Sequence, residues 1–156
     1  MRYRGVGLVL AVAALAALPA VAAEAPYKLD PRIMAHVSLK DVKWEAYPVK
    51  GATQYKVFGD SEKPGPYMIL IRWAPGAMSR PHCHLEERYV TVLQGTWWVG
   101  EGPKFEPGRT VPMPAGTVVT HHANGLHYDG AKGEPAIIEI VGMGPASTLQ
   151  PDKCGR

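Results

Sequence analysis

Between Val42 and Gly144 the chain is a succession of short apolar runs separated by glycine, proline and charged residues. VKWEAYPV, from Val42 to Val49, alternates apolar and polar positions with the two-residue period of a half-buried strand, and QYKVFG after Gly51 reads as a second strand. GDSEKPGP is a loop by composition, and YMILIRWAP is a nearly continuous apolar strand of the kind buried on both faces. His82 and His84 sit on the next strand, and YVTVLQGTWWVG gives a strand, a glycine and another strand. GEGPKFEPGR is a polar loop, TVPMP and GTVVTHH are short strands, and GLHYDG leads to a final apolar strand, PAIIEIVG. Ahead of these, residues 25–41 carry Pro26 and Pro31 and read as an arm in which His36 is a surface residue. Turn signals recur about every 8 to 12 residues and no helical period outlasts a turn or two, which predicts an all-β sandwich or barrel. Jelly roll, immunoglobulin-like sandwich and up-and-down barrel all satisfy that pattern.

Candidate chemistry concentrates in GAMSRPHCHLEERYVTVLQG, from Gly76 to Gly95. His82 and His84 are two apart, so on a strand both imidazoles point the same way while Cys83 faces the opposite side. Two neutral imidazoles converging from one strand suit a divalent transition metal such as iron, manganese, nickel or zinc. The plain alternative is a pair of histidines filling a polar surface.

The spacing around this pair resembles the first motif of the cupin family, which runs glycine, five residues, His-x-His, three or four residues, Glu, six residues, glycine. AGTVVTHHANGLHYDG resembles the second, with Gly116 eleven residues before His127. The likeness covers Lys63 to Gly144, and VTVLQGTWWVGEGPKF, VPMPAG and HYDGAK are similar to phrases of small secreted bacterial cupins. Membership of that family implies a double-stranded β-helix, or jelly-roll barrel, of about 8 to 10 strands. The core barrel would then span residues 63–146, after an N-terminal arm and first strands at 24–62 and before a polar tail at 147–156. It also implies that His82, His84 and His127 meet at the barrel mouth, where a three-histidine metal leaves coordination positions open.

Two positions depart from the family pattern. Arg88, seven before Gly95, stands where cupins carry the ligand Glu, with Glu86 and Glu87 just before it. If Glu87, or failing that Glu86, swings in from the turn, the usual three-His, one-carboxylate set is complete. If Arg88 points inward instead, as parity with His82 and His84 suggests, its planar fork suits a substrate carboxylate or phosphate. That second arrangement resembles the three-His iron centre of thiol dioxygenases, another cupin branch. A solvated pair with Glu86 or Glu87 is the bland reading of Arg88. In the second motif, His122 and Asn124 occupy the usual Pro and Gly positions, and Asn124-Gly125 retains a tight turn because Asn tolerates the left-handed conformation. Of the adjacent His121 and His122 only one can face inward, as a substrate-side group rather than a ligand. Trp73, Trp97, Trp98, Tyr89 and Tyr128 are aromatic residues for core packing and pocket walls.

The first 23 residues carry Arg2 and Arg4, an uncharged apolar run from Val6 to Leu18, and Ala20-Val21-Ala22-Ala23, the pattern of a cleavable signal peptide rather than a membrane anchor. A periplasmic or secreted location follows, with no stable membrane anchor after cleavage. Cleavage also removes two positive charges, so 17 basic against 14 acidic residues become 15 against 14. No basic stripe marks a nucleic-acid partner. The mature length suits one domain. Cys83 and Cys154 read most simply as two unpaired thiols, since a bridge would require the QPDKCGR tail to fold back across the barrel. The expected protein is a secreted metal-dependent cupin acting on a small anionic or oxygen-rich molecule by dioxygenase or isomerase chemistry. The alternative is a non-catalytic periplasmic metal or small-ligand binder. A homodimer is expected, with YMILIRW or the N-terminal arm offering the surface for a second copy.

Overall fold

A computed structural model describes residues 28–155. The expected signal peptide lies outside the described residues. The chain divides into two compact units, Met1–His36 and Val37–Arg156. In the first, Asp30 accepts from the backbone N–H of Arg32 at 2.9 Å and from its guanidinium at 2.6 Å, and His36 is exposed as expected.

The second unit contains nine strands: β1 (Glu45–Ala46), β2 (Ala52–Phe58), β3 (Gly65–Trp73), β4 (Arg88–Gln94), β5 (Thr96–Glu101), β6 (Val111–Pro114), β7 (Val118–His121), β8 (His127–Gly130) and β9 (Ala136–Gly144). They form a six-stranded sheet, β1-β2-β3-β9-β4-β7, and a three-stranded sheet, β6-β5-β8. All pairings are antiparallel. This is the all-β jelly-roll architecture expected from the sequence.

Period-two alternation builds the core. Tyr67, Ile69, Ile71 and Trp73 of β3 bury the same face, joined by Val90 and Val92 of β4, Ile138 and Ile140 of β9 and Trp97 of the smaller sheet. Gly95 turns β4 into β5 at φ +71°, where a Cβ would collide with the Pro135 carbonyl.

Three expectations require correction. YMILIRW is not buried evenly on both faces, because Leu70 is covered on the outer side while Arg72 is exposed. Its edges offer no place for a strand of a second copy, since β2 and β9 occupy both. VKWEAYPV yields only the two-residue β1, and Pro48 removes a donor from its continuation.

The two cysteines are bridged, with Cα atoms 6.0 Å apart, rather than free. The tail does fold back, because Cys83 and Leu149 exchange both backbone hydrogen bonds, at 3.1 and 2.9 Å. Cys154→Ser is expected to lower unfolding free energy by about 2–4 kcal/mol, because the bridge ties residues 71 apart in sequence. Denaturant unfolding without reductant checks this, and an unchanged midpoint would contradict it.

Candidate functional site

His82 and His127 face each other across an isolated antiparallel bridge in which each N–H donates to the other's carbonyl, at 2.9 and 3.0 Å. Directly opposed residues project to one side of such a pair, and the two ring centroids lie 4.4 Å apart. His84, two residues on, brings its ring within 4.8 Å of His82 and 5.2 Å of His127. The segment is not the continuous strand expected. Pro81 has no N–H to donate, and His82 and Cys83 pair with different partners, His127 and Leu149. Asn124 makes the juxtaposition possible: at φ 63° it turns the chain and its N–H donates to the His84 carbonyl at 2.6 Å.

Each of the three imidazoles has its Nδ1 against a backbone carbonyl: His82 on Arg80 at 2.7 Å, His84 on Ser147 at 2.5 Å, His127 on Gly125 at 2.9 Å. A carbonyl only accepts, so each Nδ1 carries a proton, and in the neutral ring Nε2 is left as the atom with the lone pair. Burial, followed by the nearby Arg88 charge, pushes His84 down to about 2 and keeps it neutral. His127 is lowered too, chiefly by burial, against the opposing pull of Asp129. Ligand atoms of the three histidines lie within 4.8 Å of one another. The buried His127 Nε2 has no hydrogen-bond partner among the described residues. It faces Asp129 Oδ2 at 3.7 Å, and because both atoms are acceptors this is not an ion pair but a place that favours a cation. Three imidazoles oriented by outer hydrogen bonds from Nδ1 are a donor set that fits a divalent transition ion.

Arg88, the first residue of β4, points inward and is 7% exposed. Its Nη2 donates to His84 Nε2 at 2.5 Å and approaches His121 Nδ1 at 3.5 Å. His121 is also buried, and burial followed by the charges of neighbouring groups pushes it down to about 2. Because Arg88 only donates, this tautomer of His121 carries its proton on Nε2, which has no partner among the described residues. His121, His127 and Asp129 form a second group with ligand atoms within 4.8 Å. In this tautomer, however, His121 donates rather than ligates.

The expected carboxylate ligands lie elsewhere. Glu87 is exposed, accepting from Tyr89 Oη at 2.8 Å and contacting His122 Nδ1 at 2.9 Å, partners that hold its carboxyl below the usual range. Glu86 accepts from Ser147 N–H and Oγ at 2.9 and 2.8 Å. Among the described residues, neither belongs to a group of converging ligand atoms. His122 faces out while His121 faces in, as strand parity requires. Asp129 and Ser147 were not anticipated. Asp129 had a signal, since it stands two residues after His127 and shares its side of β8; Ser147, brought in by the tail, had none.

A cavity of about 580 Å³ adjoins the cluster and is lined by His82, Arg88, His121 and Asp129 together with Trp73 and Trp97. Tyr128 packs in the core, whereas Tyr89 is on the surface.

The family described as the ChrR cupin-like domain matches residues 33–129, more than half of the chain, and the protein belongs to it. No curated protein sequence matches the chain. Among solved structures, a polyketide cyclase from Streptomyces resistomycificus is similar at 20% identity, covering 75% of this chain and 84% of its own, with a TM-score of 0.63. A cupin-2 domain from Rhodospirillum rubrum is similar at 16% identity, covering 83% and 86%, with a TM-score of 0.58. A cupin-like protein from Thermotoga maritima is similar at 20% identity, covering 64% and 76%, with a TM-score of 0.53. At these identities the likeness is one of fold.

An ion held by His84 Nε2 would have to take that lone pair from Arg88. Arg88→Ala is therefore expected to keep one zinc per chain and to bind it more tightly, by about tenfold if a charged hydrogen bond is all that is removed. Zinc titration against a competing chelator checks this; weaker binding would make Arg88 a support of the site rather than a competitor.

Proposed function

We propose that the protein is a secreted, metal-dependent cupin in which His82, His84 and His127 hold a divalent transition ion and the adjoining cavity takes a small anionic or oxygen-rich organic molecule. The observation that carries this reading is the set of three Nδ1–carbonyl contacts, which leaves three Nε2 lone pairs on one side. Iron, manganese, nickel or zinc suits such a set, and when bound the ion supplies Lewis-acid polarisation or a redox centre for isomerase or dioxygenase chemistry. Arg88 orients the anion, and the apolar walls around it exclude water and so strengthen that contact. Asp129, which accepts from Trp97 Nε1 at 3.3 Å and whose N–H donates to Ser79 Oγ at 2.9 Å, is held rigidly enough to move a proton at the substrate.

Export to the periplasm or beyond is supported by the Cys83–Cys154 bridge, since such bonds persist in oxidising compartments. A homodimer is supported by Leu29, Ile33 and Met34, large apolar side chains exposed in the arm that a second copy would cover.

One observation favours the second reading, a non-catalytic ligand-binding cupin. Arg88 already satisfies His84 Nε2, as it would in a site that captures anions without an ion of its own. Metal analysis of protein purified without added metal separates the two. His82→Ala, His84→Ala and His127→Ala should each lose most of the metal while remaining folded, whereas His36→Ala should change nothing. A wild type free of metal at every occupancy, or a variant with unchanged affinity, would overturn the assignment.

A further inference from the structure

The cavity beside the imidazoles holds an excess of unsatisfied donors. Arg88 Nε, Trp73 Nε1 and His121 Nε2 are all buried without a partner among the described residues, and all three residues line the same cavity. Arg and Trp only donate, and His121 donates at Nε2 because Arg88 claims its Nδ1. Against them stands a single carboxylate, Asp129, whose Oδ1 already accepts from Trp97. The charges agree with this count: Lys50, Arg80 and Arg88 line the cavity, opposed only by Asp129. Ile71, Ile138 and Ile140 form an apolar stretch of the wall beside the two indoles, and Tyr47, Ser79, Thr148 and Gln150 add polar groups that both donate and accept. The volume falls in the range, about 300 to 1,000 Å³, that encloses small organic ligands.

Polyols and sugars bring a hydrogen with every hydroxyl oxygen, so each wall donor they satisfy is matched by a new donor of their own. An amine would set a second cation beside the buried Arg88. A carboxylate with a second oxygen that only accepts satisfies the unmatched donors without adding any, and a flat apolar body fits the indole and isoleucine wall.

We propose that the ligand is an organic monoanion bearing a carboxylate, at least one further acceptor oxygen and a flat apolar body, as in an aromatic 2-oxo acid. The carboxylate engages Arg88, and the second oxygen accepts from Trp73 or His121. This rests on the reading of the cavity as the ligand site but requires no bound ion.

Calorimetric titration of chelator-treated protein with phenylpyruvate, 2-phenylethanol and 2-phenylethylamine tests it, repeated after zinc is restored and with zinc stoichiometry measured separately. Phenylpyruvate should bind at least about tenfold more tightly than either of the others. Arg88→Lys should weaken it by about tenfold, since an ammonium cannot reproduce the fork, and Trp73→Phe by about threefold or more while the aromatic wall is kept. The proposal is overturned if the alcohol or the amine binds as well as the acid, or if the acid does not bind the wild type at about 10 mM. The probe ranking on wild type stands even if a variant fails to fold. Acid binding without zinc uptake would sink the metal reading alone, and zinc uptake without acid binding would sink this proposal alone.

Discussion

The site depends on how one irregular segment is held. Residues 80–87 belong to neither sheet, yet they carry two of the three converging imidazoles. On one side the segment is bound by the His82–His127 bridge and by Asn124 N–H on the His84 carbonyl. On the other it is bound by the residues after β9: Leu149 pairs with Cys83, Ser147 O takes His84 Nδ1, Ser147 Oγ accepts from Leu85 N–H at 2.7 Å, and Glu86 accepts from Ser147. The disulfide closes this second clamp covalently. The same contacts that order the loop therefore choose the tautomer of His84, so backbone geometry and ligand chemistry are set together.

Within that frame, the exchange of a carboxylate for Arg88 reverses the local electrostatics. A glutamate at the first residue of β4 would add negative charge beside the imidazoles and draw an ion in. Arg88 instead donates to His84 and sets a positive charge beside the imidazoles, which suits an anion in the adjoining cavity. Asp129, two residues along β8 from His127, supplies the negative charge from another strand. The carboxylate thus stands on the side where it faces His127, and Arg88 stands on the side of His84.

Much of the fold was legible because its strands obey period two: the buried residues of β3, Tyr67, Ile69, Ile71 and Trp73, alternate as the pattern requires. His82, His84 and His127 were legible from spacing, and the inward turn of Arg88 from parity. The swing of Glu87 or Glu86 into the site was the part that failed, because Tyr89 and His122 hold the first at the surface and Ser147 draws the second to the tail. The tail contacts were hidden for a physical reason. QPDKCGR has no apolar period to announce that it packs, and the tail is docked by the Leu149 backbone pair, the Ser147 contacts and the Cys154 sulfur, none of which leaves a pattern along the chain.

The central claim, that one set of three imidazoles is preorganised for an ion, is tested most directly by X-ray absorption at the zinc edge on protein stripped with chelator and reloaded with one equivalent. The account predicts a shell containing three imidazole nitrogens at about 2.0–2.1 Å and no sulfur. Failure to retain zinc, a shell containing a thiolate, or one with fewer than three imidazoles would contradict it.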